Sequence, residues 1–458
     1  MRRLGILCAV LVLCALAPVR SWAQGLIRDA EIESTVRGWS DPIFKAAGLR
    51  PDDVHLYYLN DPSMNAFATR GQNIFLHTGI ILKAKTPNEL KGVIAHEVGH
   101  IADGHLSRQD DAIAKATRPM ILTMGLGILA ALAGAPDAGA AIMSKSQEVG
   151  AVTFFAYSRV IEASADQAAA KYMEATHQSG EGLLRFFERF RYQDVFSGAK
   201  RYPYFLNHPL SSDRINALQR RVDASPYRDV KDSPQDQHEL EMIQAKIVGF
   251  LYPPQTTFSL YPKTNTSLPA RYARAIAYHQ EASTKLALQK TGELLKVEPD
   301  NPYFNELYGQ ILFESGQAAK AIAYHQRAVD LRPRSALLKL NLAQDLVATE
   351  SPEDTERAEG LLKQVLAKEP DNGFAWYELA QVYGNQGKTA EANLATAEQA
   401  YAMGDYYRAL SFARRASAKL TQGTPQWRRA NDIALVIAAD PGIRKQMAQR
   451  RQQRSQRR

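Results

Sequence analysis

Cysteine is almost absent from this chain of 458 residues, which contains two, Cys8 and Cys14. Both precede Ala23, in a segment with the features of a secretory signal. The mature chain would therefore contain no thiol, which excludes disulfide bonds and thiolate metal sites. Any metal that it binds must be held by histidine and carboxylate side chains.

Long apolar runs are also lacking. The segments Leu4–Ala17 and Pro119–Gly134 are each shorter than the roughly 20 residues that a membrane-spanning helix needs. The first follows two arginines and leads to the small-x-small motif Ser21-Trp22-Ala23, so we predict a signal peptide over residues 1–23. An uncleaved anchor is the alternative, disfavoured by the length. The second segment is predicted to be a buried or membrane-surface helix.

The net charge of +8 is concentrated at one end of the chain. Removing the three arginines of the signal leaves +5, and removing the seven basic residues of 444–458 leaves −2. The basic character therefore belongs to a tail, which we predict to be disordered over 440–458. It argues against a nucleic-acid-binding domain and leaves peripheral contact with anionic lipid open.

The length predicts two domains, and ordinary hydrophobic content excludes a disordered chain. Residues 24 to about 50 have a helical pattern, and short strands are predicted at 54–60, 65–69 and 73–82. Helices are predicted from Asn88 onward. We assign residues 24–230 to this first, α+β domain.

The second half repeats. Pro299, Pro333 and Pro370 are spaced by 34 and 37 residues, and 34 is the period of the tetratricopeptide repeat. The pattern predicts an all-α solenoid over 237–430, with a connecting loop at 252–269. It also places Gly309, Ala321 and Ala328 at close helix contacts.

The motif HEVGH predicts a metal site on a helix. His96 and His100 are four residues apart and lie on one face, so that both rings can reach one cation. Glu97 points about 100° away and can reach a water molecule beside the metal. His105 lies five residues after His100, so we predict that it is a helix-end or surface histidine.

A third ligand is predicted on a second helix, where Glu162 and Asp166 are four residues apart. A carboxylate there would complete a set of two histidines and one glutamate. Asp166 is placed to accept the free N–H of a ligand histidine. The alternative is a solvated acidic face paired with Arg159.

HEVGH followed by SRVIEASAD resembles the gluzincin zinc metalloproteases of the CAAX prenyl protease and HtpX superfamily. With the signal peptide and the repeats, the chain is similar to the soluble periplasmic BepA-like branch. The resemblance implies His96, His100 and Glu162 as ligands of one zinc ion, Glu97 as catalytic base, and Asp166 as the support of a ligand. Ser164 departs from the family, in which an acid is frequent at that position.

Two further segments carry the resemblance. NAFATRGQNIFLHTGII is similar to a strand beside the cleft, which implies that Asn65, Ala66 and Phe67 bind extended substrate. NHPLSSDRI is similar to a His-Pro motif with a following arginine, here His208 and Arg214. The resemblance implies that His208 is an additional ligand that silences the metal or a residue that faces substrate. His208 and Arg214 are the candidate donors to the oxyanion, and a loop-capping role for His208 is the alternative.

Together these features predict a periplasmic zinc endopeptidase, with contact to the membrane left open. It would degrade misfolded or misassembled outer-membrane proteins, and the repeats would recruit substrate or assembly machinery. The quality-control role is implied by the resemblance alone. One alternative is a repeat-based chaperone or scaffold with a silenced metal site. A second, a membrane-integral protease, is disfavoured by the single weak apolar segment.

Overall fold

The computed structural model describes residues 25–105, 121–124, 126, 158–188, 208 and 210–456, with side chains as far as 449. The predicted signal peptide and most of Pro119–Gly134 lie outside the described residues. The chain forms two units: residues up to Arg28 with Arg37–Leu240, and Asp29–Val36 with Glu241–Arg458. The second unit thus includes a short N-terminal segment that the sequence placed in the first domain.

A small sheet forms one part of the first unit. Its described strands are β1 (Leu26–Ile27), β2 (His55–Leu59), β3 (Ala66–Thr69) and β4 (Asn73–His77), in the order β1-β2-β4-β3. β2 and β4 are parallel, whereas the other two pairs are antiparallel. β3 therefore lies at an edge of the sheet.

The helices of the first unit are α1 (Ala30–Ala46), α2 (Thr78–Lys83), α3 (Pro87–Ala102), α4 (158–175), α5 (181–188) and α6 (Ser212–Asp223). The first turns of α1 belong to the second unit. α3 begins with a proline at its first position, which suits a helix start because that N–H has no intrahelical partner. Every residue of α3 from Pro87 to His100 is buried, so α3 is the central helix of this unit.

The strand predicted at 73–82 was too long, because the chain turns into α2 after His77. Gly79 explains the turn: a Cβ atom there would lie 2.2 Å from the carbonyl oxygen of Ser63. The backbone N–H of Gly79 donates to Asp61 at 2.9 Å, and the Thr78 hydroxyl donates to the same carbonyl. A continuing strand could not make this close approach.

The second unit is a solenoid of helix pairs, which confirms the mainly α fold with a helical repeat region. Its helices are α7 (Pro234–Leu251), α8 (Pro254–Leu260), α9 (Leu268–Gln280), α10 (Thr284–Val297), α11 (Pro302–Glu314), α12 (Ala318–Leu331), α13 (Ala336–Ala348), α14 (Pro352–Lys368), α15 (Gly373–Asn385), α16 (Thr389–Ala402), α17 (Tyr406–Ser417), α18 (Pro425–Ala439) and α19 (Pro441–Gln456). α7 begins within the first unit, which ends at Leu240.

The small residues predicted at helix contacts are buried in this solenoid. Ala321 and Ala328 are fully buried, and a Cβ at Gly309 would lie 2.5 Å from the His325 ring. The imidazole of His325 bridges Asp345, at 2.6 Å, and the carbonyl of Glu306, at 3.1 Å. Glycine on α11 therefore makes room for a buried polar link between neighbouring repeats.

Two predicted irregular segments are helical. The connecting loop 252–269 contains α8, which begins at Pro254, so the two prolines start a helix and do not simply interrupt one. The C-terminal tail predicted to be disordered contains α19 instead. Ile443 and Met447, one helical turn apart, pack on the last core cluster of the solenoid, and the following arginines and glutamines favour helix.

The described part of the apolar segment is helical at 121–124. Ile121, Leu122, Met124 and Leu126 are exposed, which corrects the buried alternative and favours the surface alternative for these residues. Within the described part of the chain, every helix is too short or too polar to cross a bilayer.

The buried Glu378 side chain on α15 gives the solenoid a pH dependence. Burial raises the pKa of Glu378 from 4.5 to about 7, and its described hydrogen bond comes from the Gln381 amide at 3.0 Å. The folded state then holds a proton more tightly than the unfolded state, so this group's contribution to stability is lost as pH rises through about 4.5 to 7. We expect Glu378→Gln to stabilise the protein at pH 8 by about 1–2 kcal/mol, and less at pH 5.

The measurement is urea unfolding of the wild type and Glu378→Gln at pH 5 and pH 8. The titration of all other groups cancels in the difference between the two proteins. Glu356→Gln, at an exposed position of α14, is the control and should change stability by less than about 0.5 kcal/mol. An equal gain at pH 5 and pH 8 would contradict the role assigned to Glu378.

Candidate metal centre

Four side chains from three parts of the first unit converge at one point. His96 and His100 lie one turn apart on α3, Glu162 lies on α4, and His208 precedes α6. One donor atom from each lies within 4.8 Å of all the others. Their exposed fractions are 0, 6, 3 and 6%, so the donors are largely shielded from bulk solvent.

The distances between the donors are short. The Nε2 atoms of His96 and His100 are 3.1 Å apart, and they lie 3.3 and 3.5 Å from the Glu162 oxygens. His208 Nδ1 lies 3.1 Å from Glu162 Oε2 and 3.3 Å from His96 Nε2. Imidazole nitrogens and a carboxylate are donors that zinc prefers. Because one donor atom from each residue lies close to the others, the set fits a divalent cation.

The electrostatics of the site also favour a cation. Burial alone would lower the pKa of His96, but hydrogen bonds to Asp166 and Glu162 outweigh it and raise the pKa to about 10. Burial likewise opposes ionisation of Glu162, yet hydrogen bonds from His208 and His96 hold its pKa well below the ordinary range. A proton on His96 is thus stabilised by the same negative potential that would stabilise a metal ion.

Asp166 supports His96 from behind. Its Oδ1 lies 3.0 Å from His96 Nδ1, which leaves Nε2 directed at the other donors. Burial disfavours the Asp166 carboxylate, but hydrogen bonds from Arg214 and then His96 lower its pKa below the ordinary value. The carboxylate therefore stays ionised and fixes the orientation of the imidazole ring.

Arg214 lies behind the donors and not in front of them. Its Nε and Nη2 atoms donate to the two Asp166 oxygens, each at 2.8 Å, and Nη1 lies 3.2 Å from Glu162 Oε2. These contacts commit the guanidinium to two carboxylates, and the side chain is 3% exposed. We correct the predicted role accordingly: Arg214 supports the donors, and His208 remains the candidate donor to an oxyanion.

Glu97 differs from every other charged group of the site. Its side chain is fully buried, and neither carboxylate oxygen has a hydrogen-bond partner among the described residues. His208 Nε2 approaches to 3.6 Å. A buried carboxylate without a donor is costly. The arrangement is suited to a group that accepts a proton from a molecule entering the site.

The predicted substrate strand corresponds to β3 and the residue before it. Asn65 and Ala66 are buried, and the half-buried Phe67 stacks on Phe75 with ring centroids 5.0 Å apart. β3 pairs with β4 on one side, and no other described strand pairs with its outer edge. The backbone groups of that edge are therefore positioned to pair with an extended chain.

His105 lies just past the helix end, as one of the two predicted alternatives stated, but it is not on the surface. It is 8% exposed, and its Nδ1 lies 3.3 Å from Nδ1 of His100. The angular argument failed because α3 ends at Ala102, and Gly104, at φ +65°, folds the chain back. The His105 N–H then donates to the His100 carbonyl at 3.0 Å. Asp103-Gly104, a helix-stop signal, was the clue in the sequence.

Gly99 sets the distance between the helices that carry the donors. A Cβ atom there would lie 3.1 Å from the Ala165 backbone and 3.2 Å from the Ala168 side chain. We expect Gly99→Ala to push α4 away by a few tenths of an ångström and to weaken zinc binding by roughly tenfold, since metal sites tolerate about 0.2 Å. Chelator competition measures the affinity.

Gly38→Ala is the control, because a Cβ on this helical glycine meets nothing within 4 Å. It should leave zinc affinity unchanged and raise thermal stability slightly. Equal zinc affinity of Gly99→Ala and the wild type would show that this contact does not set the geometry of the donors.

Comparison with known proteins agrees with the two units. Residues 27–222 match the model of peptidase family M48, and residues 262–403 match a cytochrome c-type biogenesis protein H TPR domain. The solved structure of YrrB, a TPR protein, is similar at 17% identity and a TM-score of 0.33, covering 38% of this chain and 91% of that one.

Two curated relatives span both units. The beta-barrel assembly-enhancing protease of Yersinia pestis is 25% identical over 81% of this chain and 76% of its own length. That of Escherichia coli K12 is 24% identical over 88% and 82%. The region that carries the buried donor cluster therefore matches peptidase family M48, and the chain is a metalloprotease with a TPR domain.

Proposed function

We propose that this protein is a periplasmic zinc endopeptidase that hydrolyses peptide bonds of misfolded or misassembled outer-membrane proteins. The observation that carries the proposal is the buried convergence of His96, His100 and Glu162 beside Glu97, whose carboxylate accepts no hydrogen bond from any described residue. A purely structural metal site needs donors but has no use for such a base.

Each residue has a distinct task in the reaction. His96, His100 and Glu162 would hold the zinc ion, which supplies Lewis-acid polarisation of the peptide carbonyl and lowers the pKa of water. Glu97 accepts the proton from the attacking water at a carboxylate oxygen and then delivers it to the departing amine nitrogen. Asp166 and Arg214 keep the donors oriented while this proton moves.

β3 supplies the positioning of substrate. An extended segment would add to its outer edge through backbone hydrogen bonds, which place a peptide bond without selecting side chains. Asn65, Ala66 and Phe67 would contribute this edge, and β3 lies close to α3. Recognition of this kind suits unfolded chains, because their backbone is available for pairing.

His208 is proposed to regulate the site. Its Nδ1 is as close to Glu162 and His96 as these donors are to each other, at 3.1 and 3.3 Å. In this position it would act as a fourth ligand and occupy the place that water needs. Withdrawal of His208 would open the site, and its ring could then donate to the oxyanion. The same geometry supports the alternative of a chaperone or scaffold whose site is silenced.

The physiological role is drawn from the relatives. The Yersinia pestis and Escherichia coli relatives are named beta-barrel assembly-enhancing proteases, and both align with the peptidase and repeat regions. We infer that the repeats recruit unfolded substrate or the assembly machinery. The signal peptide over residues 1–23 would direct the chain to the periplasm. The exposed side chains of Ile121, Leu122, Met124 and Leu126 and the basic C-terminal helix favour peripheral membrane contact.

Glu97→Gln tests the catalytic assignment. The amide cannot accept a proton, so we expect degradation of an unfolded outer-membrane protein to fall by about 10²–10⁴-fold, while bound zinc stays at one per chain. Metal analysis and gel-based degradation measure the two quantities. Glu188→Gln, at an exposed position of α5, is the control. Undiminished degradation by zinc-loaded Glu97→Gln would refute the role of Glu97.

His208→Ala tests the regulatory assignment. Removing a fourth donor frees a position for water, so the variant should degrade substrate faster than wild type while still binding zinc. His238→Ala, on α7, is a control histidine outside the donor cluster. A slower His208→Ala enzyme with full zinc content would instead assign His208 to oxyanion stabilisation.

A further inference from the structure

We propose that His105, Asp103 and Ser164 form a chain of polar contacts that orients His100 and ties together the two helices that carry the metal donors. The inference rests on the metal site proposed above and deepens it. None of the three residues belongs to the donor set, and each acts through another residue, so all three are positioning residues.

The chain begins at the back of the His100 ring. Nε2 of His100 faces the other donors, and its Nδ1 faces Nδ1 of His105 at 3.3 Å. A histidine that offers the Nε2 lone pair to a metal carries its proton on Nδ1, and this N–H needs an acceptor. His105 provides that acceptor when its own proton is on Nε2.

Asp103 selects that tautomer of His105. Its Oδ2 lies 3.7 Å from His105 Nε2, so the negative charge of the carboxylate favours a proton on that nitrogen. The turn at Gly104 brings both residues into place, because it reverses the chain directly after α3. Asp103 therefore favours one tautomer of His105, and His105 in turn favours the His100 tautomer that has its proton on Nδ1.

Ser164 connects this chain to α4. Its hydroxyl donates to Asp103 Oδ2 at 2.8 Å, and it lies two residues after the donor Glu162. An acid at this position would face Asp103 with a like charge. Ser164 instead donates a hydrogen bond to Asp103, and this bond links the end of α3 to the first turns of α4.

The two histidines on α3 are consequently supported in different ways. His96 has an ionised carboxylate, Asp166, 3.0 Å from its Nδ1. His100 has the imidazole ring of His105 at the same place, with the carboxylate of Asp103 beyond that ring. The His100 ring should therefore depend on the geometry of His105 and on its ability to accept a hydrogen bond.

A pair of variants of similar size separates positioning from packing. His105→Leu fills the space but accepts no hydrogen bond, whereas the Oδ1 atom of His105→Asn can replace Nδ1 of the imidazole. We expect His105→Leu to weaken zinc binding by about 10–100-fold and His105→Asn to restore most of the affinity. The electronic absorption of the cobalt-loaded protein should shift in His105→Leu and return in His105→Asn, and the thermal stability of the metal-free protein is measured alongside.

Ser164→Ala tests the far end of the chain, at a half-buried position where folding is not at risk. It should weaken zinc binding by tenfold or less, and its effect should be less than additive with that of His105→Leu, because both break one chain. It also carries the test if His105→Leu does not fold.

Unchanged zinc affinity in His105→Leu, or in Ser164→Ala when that variant stands alone, would overturn the inference. Equal losses in His105→Leu and His105→Asn would do the same, since packing alone would then explain them. The proposed metal site is judged separately: wild type must bind one zinc ion and His96→Gln must lose it. Failure there refutes the site, whereas failure confined to the His105 and Ser164 variants refutes the chain of polar contacts.

Discussion

The first unit depends on the burial of two carboxylates, Glu162 and Asp166, on one face of α4. Both are almost inaccessible to water, so their charges must be compensated by neighbouring groups. Arg214 binds both of them, and His96 lies between them. This compensation holds α3, α4 and the start of α6 in one arrangement. One carboxylate is left directed at the histidine nitrogens, where its remaining negative potential draws a cation.

Close backbone packing makes that compensation possible. Gly99 on α3 and Ala165 on α4 are small, so the two helices approach closely. This close approach allows the side chains of His100 and Glu162 to meet. Larger residues would separate His100 from Glu162 and leave a buried charge without a partner, which is strongly destabilising. The glycine within HEVGH thus matters to the donor cluster as much as the histidines do, although it is not a donor itself.

Local periodicity in the sequence was enough to predict part of this site. The spacing of His96 and His100 predicts a shared face, and the spacing of Glu162 and Asp166 predicts another. The repeat period likewise predicted the helical solenoid. Three features required the chain path: the burial of His105 depends on the turn at Gly104, the role of Arg214 depends on tertiary contacts, and α19 is held by Ile443 and Met447 against a core that periodicity does not reveal.

A comparison within the chain shows why we propose a metal site at the donor cluster and not at other buried charges. In the second unit, the ammonium of Lys246 lies 2.8, 3.4 and 3.2 Å from Asp29, Glu31 and Glu306. Burial still raises the pKa of Glu31 to about 7. In that cluster the cation is the ammonium group of the Lys246 side chain. The cluster holds the segment Asp29–Val36 within the solenoid unit. At the donor cluster, Arg214 contacts the carboxylates on the side away from the histidine nitrogens. The point between those nitrogens and Glu162 is therefore available to a metal cation, which can also bind water. Buried carboxylates require positive charge in both units. In the second unit this requirement stabilises the fold, and in the first unit it favours the binding of a cation.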